Sequence, residues 1–289
     1  MPRFATILLV AAACGGSAPP PPVPRADGAG PLRVLTWNVH DLFDEVDRLE
    51  PPGELDAVPS IAEVEAKLDR VAAVLRRLDA DVALLQEVEN LPLLRRLAAR
   101  TGHREAWLID GNDPRGIDVG ILSRLPVLAF RGHASERTPD GRLLWPRDAV
   151  EAVIDAPGRP LVLIGTHLSS AISDPTGVRR RLQASRLREL ADAAAARAPP
   201  SLVVVGGDLN DAADAPSLGP LLGDGAWVDA DGGVAPAPYT WSSGSAWRAL
   251  DHLALPAADA GAVLAAGPTG GADVDAASDH RPVILDLLP

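Results

Sequence analysis

The sequence predicts an α/β sandwich that contains mixed β-sheets. Segments typical of strands outnumber segments typical of helices, and the helices fall between some of the strands rather than after every one. A fully alternating, doubly wound fold is therefore not favoured. The chain has 289 residues, and the part after the first thirty or so suits one large domain, since single domains of ~250 residues are ordinary.

Composition and charge narrow the classes of function. With 47% hydrophobic and 23% charged residues, the chain has a globular composition and enough apolar material for a core. The formal net charge is -12 at pH 7, and such a field disfavours tight, non-specific binding to duplex nucleic acid. A phosphate-bearing substrate that meets a cation in the site remains compatible with this charge.

The N-terminal stretch "MPRFATILLVAAACGGS" has the layout of a short secretory signal. Arg3 precedes an apolar run over residues 5–13, which is too short to span a bilayer, and small residues lead to Cys14, the only cysteine. The stretch resembles a bacterial lipoprotein signal, in which residues 1–13 are removed and Cys14 is lipidated. A buried structural cysteine is the alternative, and an intramolecular disulfide is excluded.

Residues 14–31 form a Pro-, Gly- and Ala-rich tether that cannot pack a core, so the folded domain is predicted to span residues 32–289. We expect an exported protein of a bacterial cell envelope, held to the membrane by the lipid anchor or secreted. No protein partner is evident from the sequence.

The first half of the domain alternates strands and helices. "LRVLTWNV" predicts a buried strand that begins at residue 32. Ser60 and Glu63 have capping-box spacing ahead of apolar residues at helical intervals, which predicts a helix in "SIAEVEAKLDRVAAVLRRL". "DVALLQEV" predicts the next strand, and Asn90 to Arg100 predict a second, short helix.

The second half of the domain is richer in strands. "GIDVGILS" and "PVLAF" predict a strand pair, and "AVEAVID" and "PLVLIGTHL" predict two further strands. Gly177 to Arg197 predict a long amphipathic helix. "SLVVVGGDLND", "WRALDHLALP" and "RPVILDLL" supply the remaining strands.

Polar side chains cluster where these strands begin or end. They are Asn38, Gln86, Glu87, His167, Asp208, Asn210, Asp251, Asp279 and His280. Each one alone fits a loop residue or a helix cap. A carboxylate at the mouth of a buried strand is costly to desolvate unless a cation or hydrogen-bond donors meet it. Together they therefore predict one shared site around a cation.

The motifs "TWNV", "LLQEVE", "GIDVGILSR", "GTHLSS", "GGDLND", "LDHLAL" and "SDHRPV", in this order, resemble the endonuclease/exonuclease/phosphatase superfamily over residues 32–288. This superfamily comprises metal-dependent phosphoesterases, including deoxyribonuclease-like and sphingomyelinase-like enzymes. The resemblance implies a four-layer α/β/β/α sandwich of two mixed sheets flanked by helices. It places the active site at one edge of the two sheets.

The resemblance also implies a metal site. Glu87 would be the main carboxylate ligand of a divalent cation, with Asn38 beside it and Asp279 completing the site. Oxygen ligands of this kind suit Mg²⁺, or Mn²⁺ or Ca²⁺, rather than a metal that prefers thiolates.

The catalytic groups follow from the same resemblance. Asp208 would act as general base or orient the attacking water, and Asn210 would hold the phosphate or the Asp208 side chain. His280 would meet the phosphate as negative charge develops, Asp251 would fix the ring of His280, and His167 would supply a second imidazole. Gly206 and Gly207 are interpreted as glycines that let the backbone approach the phosphate.

Weaker signals concern the substrate. Arg115 and Asp118 could contact it, with a structural loop arginine and a strand-start aspartate as the alternative. The run Arg179 to Arg181 could steer a phosphate, although a solvated helix face is favoured. The tryptophans are expected in the core, whereas those in polar loops could stack on a base or ring: Trp145, Trp241 and Trp247.

One departure from the family pattern concerns the residue after Asp251. Many relatives have an aromatic residue at this position, and this chain has His252. The predicted chemistry is metal-assisted, in-line hydrolysis of a phosphoester by water, with a nuclease favoured. The alternatives are a phospholipid or small phosphomonoester substrate, or a binding lipoprotein without turnover.

Overall fold

The structure, a computed structural model, describes residues 30–46, 58–197, 199–231 and 239–288. Cys14, the predicted signal peptide over residues 1–13 and the tether up to residue 29 lie outside these residues. None of the described helices has the length and apolar character that crossing a membrane requires.

The described residues form fourteen strands and five α-helices. The strands are β1 (Leu32–Leu42), β2 (Val82–Val88), β3 (Glu105–Leu108), β4 (Asp118–Ser123), β5 (Val127–Gly132), β6 (Ala149–Ile154), β7 (Leu161–His167), β8 (Leu202–Asp208), β9 (Trp227–Asp229), β10 (Trp241–Ser242), β11 (Trp247–Arg248), β12 (Asp251–Pro256), β13 (Val263–Pro268) and β14 (Val283–Leu287). The helices are α1 (Ile61–Leu78), α2 (Leu91–Thr101), α3 (Val178–Ala195), α4 (Gly219–Leu222) and α5 (Ala272–Asp275), with a 3₁₀ helix at Ala257–Ala262.

Two six-stranded mixed sheets dominate the fold, as predicted. Sheet one has the order β13-β14-β1-β2-β4-β3, and sheet two has the order β5-β6-β7-β8-β12-β9. A separate hairpin pairs β10 with β11. In each sheet one central pair is parallel, β1 with β2 and β7 with β8, and the other pairs are antiparallel.

Three apolar layers hold four layers of backbone together. One core packs α1 and α2 on the outer face of sheet one and includes Leu85. A second lies between the two sheets and includes Leu84 and Val204, and a third packs α3 on the outer face of sheet two and includes Val205. Neighbouring strand residues serve different cores because side chains alternate between the faces of a sheet. The four-layer α/β/β/α sandwich is confirmed.

The helix starts follow the predicted capping chemistry. The Ser60 hydroxyl accepts the Glu63 N–H at 3.3 Å, and the Glu63 carboxylate accepts the Ser60 N–H at 2.8 Å. Asn90 caps α2 by accepting the Leu93 N–H at 2.9 Å. Because these side chains satisfy N–H groups that have no partner inside the helix, they fix where each helix begins.

The predicted pairing of "GIDVGILS" with "PVLAF" is wrong. These segments are β4 and β5, and they lie in different sheets: β4 pairs with β2 and β3, whereas β5 pairs with β6. A strand pattern does not reveal that the chain crosses from one sheet to the other between two strands. Four further strands, β3, β9, β10 and β13, were not predicted, because they are short or half-exposed.

The two parallel pairs position the polar strand ends. Parallel strands bring their carboxyl ends to the same edge of a sheet. Asn38 lies opposite Gln86 in sheet one, and His167 lies opposite Asp208 in sheet two. Residues that are far apart in the sequence therefore meet at one edge of the sandwich.

Candidate active site

Asp208 lies at the centre of the site, where residues of both sheets meet. It is the last residue of β8 and lies opposite His167 of β7 and Asp251 of β12. Its Oδ2 atom is 3.0 Å from Asn38 Nδ2, 3.2 Å from His167 Nε2 and 3.8 Å from His280 Nε2. The two sheets therefore contribute jointly to the surroundings of one buried carboxylate.

The surroundings of Asp208 keep it ionised. Burial alone would raise the pKa of this carboxyl group. The charge and hydrogen bond of His167, the charge of His280 and the Asn38 amide outweigh burial, and they hold the pKa of Asp208 well below its usual range. Asp208 is therefore a weak proton acceptor near neutral pH and a strong hydrogen-bond acceptor.

His280 and Asp251 form a buried imidazole–carboxylate pair. His280 Nδ1 is 2.7 Å from Asp251 Oδ2, and the backbone on both sides is fixed: Trp37 Nε1 donates to the His280 carbonyl, and the Asp251 N–H donates to Thr240. Burial acts to lower the pKa of His280, but Asp251 and Asp208 raise it to about 10. The ring therefore keeps both protons at neutral pH.

Glu87 lies on the sheet-one side of the site. Its Oε1 accepts a hydrogen bond from Asn38 Nδ2 at 3.1 Å, and its Oε2 accepts the Asp41 N–H at 2.9 Å. Burial acts to raise the pKa of Glu87, but the charge of His167, the two hydrogen bonds and the charge of Arg115 lower it to about 2. Glu87 is therefore ionised over the whole working range of an enzyme.

The oxygen donors around Glu87 fit a divalent cation. The Asp41 carboxyl lies beside Glu87, and burial together with repulsion from Glu87 raises the pKa of Asp41. A cation relieves such crowding of negative charge, and carboxylate and amide oxygens suit Mg²⁺, Mn²⁺ or Ca²⁺. The Asn38 amide lies next to Glu87, but its nitrogen faces the carboxylate, and its Oδ1 accepts the His40 N–H at 2.9 Å.

Asp279, the third predicted ligand, is directed elsewhere. Its Oδ1 is 2.5 Å from His40 Nδ1, and its Oδ2 accepts a hydrogen bond from Trp241 Nε1 at 3.0 Å. Within the described part of the chain, none of its hydrogen bonds reaches Glu87. Asp279 therefore orients His40 and Trp241 at the rim of the site.

A second group of possible metal donors consists of Asp208, Asp251 and His280, whose ligand atoms all lie within 4.8 Å of one another. Asp251 already occupies the Nδ1 atom of His280, and Asp208 faces imidazoles and an amide, which are donors of hydrogen bonds. These hydrogen bonds suit proton chemistry at this group, and the carboxylates around Glu87 are the other candidate position for a cation.

Backbone strain is concentrated at the site. Among the described residues, five other than glycine have positive φ, and four of them belong to the site: His40 (56°), Asp41 (48°), Glu87 (63°) and Asn210 (55°). The fifth, Asp79, ends α1. Left-handed backbone at residues with side chains costs on the order of 1–3 kcal/mol each and persists where the surroundings enforce it.

The interpretation of Gly206 and Gly207 needs correction. A Cβ atom on Gly206 would lie 2.1 Å from the His252 carbonyl oxygen, and one on Gly207, with φ of 131°, would lie 1.9 Å from the Thr166 carbonyl oxygen. The glycines are therefore required by the close approach of β7 and β12 to β8. This packing explains them without a substrate.

Asn210 and Arg115 lie beside carboxylates of the site. The Asn210 N–H donates to Asp208 Oδ1 at 3.0 Å, and its side-chain amide donates to the Leu168 carbonyl at 3.0 Å. Arg115 Nη1 donates to Asp41 at 3.1 Å. Asn210 therefore borders Asp208, and Arg115 borders Asp41. Both lie where a phosphate would enter the site.

Asp118 is placed differently from the prediction of a substrate contact. Its side chain is buried, and its Oδ1 accepts the Gly111 N–H at 2.7 Å. Burial raises the pKa of Asp118 to about 8, despite that hydrogen bond. Asp118 therefore fixes the loop that leads to Arg115.

The arginine run at the start of α3 is structural. Arg179 donates to the Leu143 and Leu144 carbonyls, and Arg180 to the Ser169 carbonyl. Arg180 is only 4% exposed. The favoured interpretation, a solvated helix face, is therefore wrong for Arg180, and its guanidinium anchors the loop after β7.

The three tryptophans in polar contexts separate into two groups. Trp145 is fully buried, and its Nε1 donates to Glu136 at 3.1 Å. Trp241 and Trp247 lie on the β10–β11 hairpin, and the Trp241 ring is 6.5 Å from the His280 ring. The hairpin therefore forms one wall of the site.

Some residues of the site were not found from the sequence. His40 and Asp41 follow β1 in the polar run "HDLFDE", and this run was the available signal. Thr240 accepts the N–H groups of Leu250 and Asp251 through its hydroxyl, and no pattern in the sequence marks such a contact.

The fold and the clustered groups define a class of protein, an α/β/β/α sandwich with carboxylates and imidazoles at one edge of both sheets. The chain belongs to the Endonuclease/Exonuclease/phosphatase family, whose model matches residues 35–280. Members of this family are phosphoester hydrolases that use a divalent metal ion.

Solved structures share the fold at low sequence identity. D. rerio TDP2 complexed with a single-strand DNA product is 19% identical with a TM-score of 0.61, covering 89% of this chain and 98% of that chain. ANGEL2, a 2',3'-cyclic phosphatase, is 13% identical with a TM-score of 0.66, covering 90% and 95%. The human Nocturnin catalytic domain with bound sulfate is 16% identical with a TM-score of 0.66, covering 89% and 93%. No match to a curated protein is found.

Proposed function

We propose that the protein is a Mg²⁺-dependent phosphodiesterase that acts as a nuclease on unpaired nucleic acid. The observation that carries this proposal is the position of Asp208 between two imidazoles and an amide that come from both sheets. A phosphate that enters this edge meets hydrogen-bond donors on one side and ionised carboxylates on the other.

Glu87 and Asp41 would hold the divalent ion, with the Asn38 amide beside them and Asp279 at the rim of the site. When bound, this ion supplies positive charge that neutralises the non-bridging oxygens of the phosphate. Mn²⁺ or Ca²⁺ fits the same oxygen donors as Mg²⁺.

The protein's own groups supply the remaining chemistry. Asp208 orients the attacking water, since its lowered pKa makes it a poor proton acceptor. His280, kept protonated by Asp251, donates to the phosphate as negative charge develops. His167 supplies a second donor beside Asp208, and Asn210 holds the phosphate.

The substrate class is suggested by the wall next to His280. Trp247 is 46% exposed, its ring centroid lies 5.9 Å from that of Tyr239, and the Arg281 guanidinium lies 4.6 Å from the Trp247 centroid. Exposed aromatic rings with an arginine stack on unpaired bases. The net charge of -12 disfavours long duplexes. TDP2, which shares the fold, was solved with a single-strand DNA product, and this supports the same class of substrate.

We also propose that the mature protein is exported and anchored through a lipidated Cys14, with residues 14–31 as tether and residues 32–289 as catalytic domain. The support is the signal-like stretch that ends at the only cysteine. Replacement of Cys14 by serine should release the protein from the membrane fraction. Unchanged fractionation would exclude lipidation.

The function is tested by incubating the protein with single-stranded DNA, RNA, plasmid DNA, sphingomyelin and bis(4-nitrophenyl) phosphate, with Mg²⁺ or with EDTA. We expect Mg²⁺-dependent cleavage of the single strands and of the small diester, and loss of both in Glu87→Gln. Cleavage of sphingomyelin alone would replace the nuclease by a phospholipase-type function. Absence of turnover on every substrate would favour a binding lipoprotein.

The aromatic wall has its own test. Trp247→Ala should raise KM for a single-stranded oligonucleotide by about 5–150-fold, since base stacking contributes about 1–3 kcal/mol per base, and leave KM for bis(4-nitrophenyl) phosphate unchanged. Trp107, which is 38% exposed on the edge strand β3, is the matched control. Equal effects of Trp107→Ala and Trp247→Ala would remove the argument for stacking.

A further inference from the structure

A second imidazole–carboxylate pair lies on β12, directly behind the catalytic one. His252 follows Asp251, and successive residues of a strand point to opposite faces of the sheet. His252 is 3% exposed. Its Nδ1 is 2.6 Å from Asp229 Oδ2, and its Nε2 is 3.0 Å from the Asp211 carbonyl oxygen.

The partners of His252 define its protonation. A carboxylate and a carbonyl oxygen only accept hydrogen bonds, so both ring nitrogens must donate, and only the imidazolium has two donors. Burial acts to lower the pKa of His252, but Asp229 and the Asp211 carbonyl raise it to about 9. The side chain is thus a buried cation that holds two separate segments, β9 and the turn after β8.

The turn that His252 holds carries a residue of the site. Asn210 has a φ of 55° and hydrogen-bonds to Asp208 through its N–H group. Asp211 is the next residue, and its carboxylate accepts from Ser217 at 2.6 Å and lies 3.3 Å from Arg180. Hydrogen bonds and an ion pair therefore fix the C-terminal side of this strained turn. One of the hydrogen bonds comes from His252.

We propose that His252 is a positioning residue, whose imidazolium, held by Asp229, fixes the Asp211 carbonyl and thereby the place of Asn210 beside Asp208. This proposal rests on the proposed function, because Asn210 matters only if a phosphate is bound there.

Charged groups from each neighbouring element face or border this ring. Asp229 comes from β9, Asp251 precedes it on β12, Asp211 comes from the turn after β8, and Arg180 of α3 pairs with the Asp211 carboxylate. Of these, Asp229 is the direct partner of the Nδ1 atom. The bond to the Asp211 carbonyl is made by Nε2, so the sharpest perturbation removes the donors of His252 itself.

The test is His252→Phe, with kcat and KM measured on bis(4-nitrophenyl) phosphate at pH 7. Phenylalanine keeps a ring in place but donates to neither partner, so the Asp211 carbonyl is released. We expect kcat to fall about tenfold, with KM unchanged. His252→Gln keeps an N–H donor that can reach the Asp211 carbonyl, and it should restore most of kcat.

Asp214→Asn is the control for a change in the surface cavity beside Asp229, because Asp214 lines that cavity and is exposed. It should leave kcat and KM as in wild type. A wild-type kcat in His252→Phe, or equal losses in His252→Phe and His252→Gln, would overturn the proposal.

A spectroscopic measurement separates this proposal from the proposed function and remains available if His252→Phe fails to fold. The chain has six histidines, so ¹⁵N-histidine spectra can be assigned. In the wild type, His252 should remain an imidazolium at pH 7.5, whether or not any substrate is cleaved, and a neutral ring would overturn the proposal. In folded His252→Phe, the amide signals of Asn210 and Asp211 should shift relative to wild type, and unchanged signals would count against the proposal.

Discussion

Two imidazole–carboxylate pairs lie on opposite faces of one strand. The site pair joins His280 to Asp251 at 2.7 Å, and the back pair joins His252 to Asp229 at 2.6 Å. In both, carboxylates raise the pKa of the buried ring, to about 10 and about 9. They differ at the other ring nitrogen: in the site pair it faces Asp208 at 3.8 Å, and in the back pair it is bound to a carbonyl.

The same imidazole–carboxylate unit therefore has two different roles on the two faces of β12. An imidazolium with one N–H free of a tight partner can donate to a substrate. An imidazolium with both N–H groups bound can only hold the backbone around it. We therefore expect the two pairs to differ in their effect on turnover.

The largest expected effect is on turnover through the site pair. His280→Asn should lower kcat on bis(4-nitrophenyl) phosphate by about 10²–10⁴-fold, because it removes the charged donor that meets the phosphate. The same replacement in the back pair, His252→Asn, should lower kcat only about tenfold. Comparable losses of kcat in the two variants would contradict this difference between the site pair and the back pair.

The next effect is on stability, where the two pairs should be alike. His252→Ala leaves Asp229 and the Asp211 carbonyl without their donor, so we expect a loss of about 1–3 kcal/mol in the free energy of unfolding. His280→Ala leaves Asp251 without its donor and removes a cation from beside Asp208, so it should cost at least as much. Urea unfolding at pH 7 measures both, and an unchanged stability in His252→Ala would show that this ring does not hold the backbone.

The pH dependence of stability follows from the same two rings. Their pKa values in the fold, about 10 for His280 and about 9 for His252, lie above the unfolded value of about 6.5. The stabilisation is therefore fully present below pH 6.5 and is lost as pH rises through 9 and then 10. The stability difference between wild type and His252→Ala should shrink between pH 7 and pH 10, and a constant difference would show that His252 is neutral in the fold.

A smaller effect is expected at Asp118, a buried carboxyl group whose charged neighbours are other carboxylates, Asp110, Asp113 and Asp148. Its pKa of about 8 lies above the unfolded value, so the fold loses stability as pH rises from about 4 to 8. Asp118→Asn keeps an acceptor for the Gly111 N–H and removes this loss. Its melting temperature should exceed that of wild type at pH 8.5 and match it at pH 4, and equal values at both would show an ionised Asp118.

Much of the fold could be predicted because local physics dictates it. The Ser60–Glu63 capping box fixes the start of α1, and apolar runs predict the central strands of both sheets. The pairing of β4 with β5 was predicted wrongly because the sheet to which a strand belongs depends on contacts far along the chain. The half-exposed edge strands lack the apolar pattern of a core strand.

The candidate site was predictable to the extent that its groups end strands. Asn38, Glu87, His167 and Asp208 follow from parallel strand ends that share one edge. The roles of Asp118 and of Gly206 and Gly207 could not be predicted, because burial and close backbone contacts depend on the tertiary structure.

In the proposed mechanism, imidazoles and an amide from both sheets act on a phosphodiester around Asp208. The most direct test is the Mg²⁺-supported rate of bis(4-nitrophenyl) phosphate hydrolysis in wild type and in Asp208→Asn. We expect the variant to keep its fold and to be slower by at least about 10²-fold. Equal rates in the two proteins would contradict the claim.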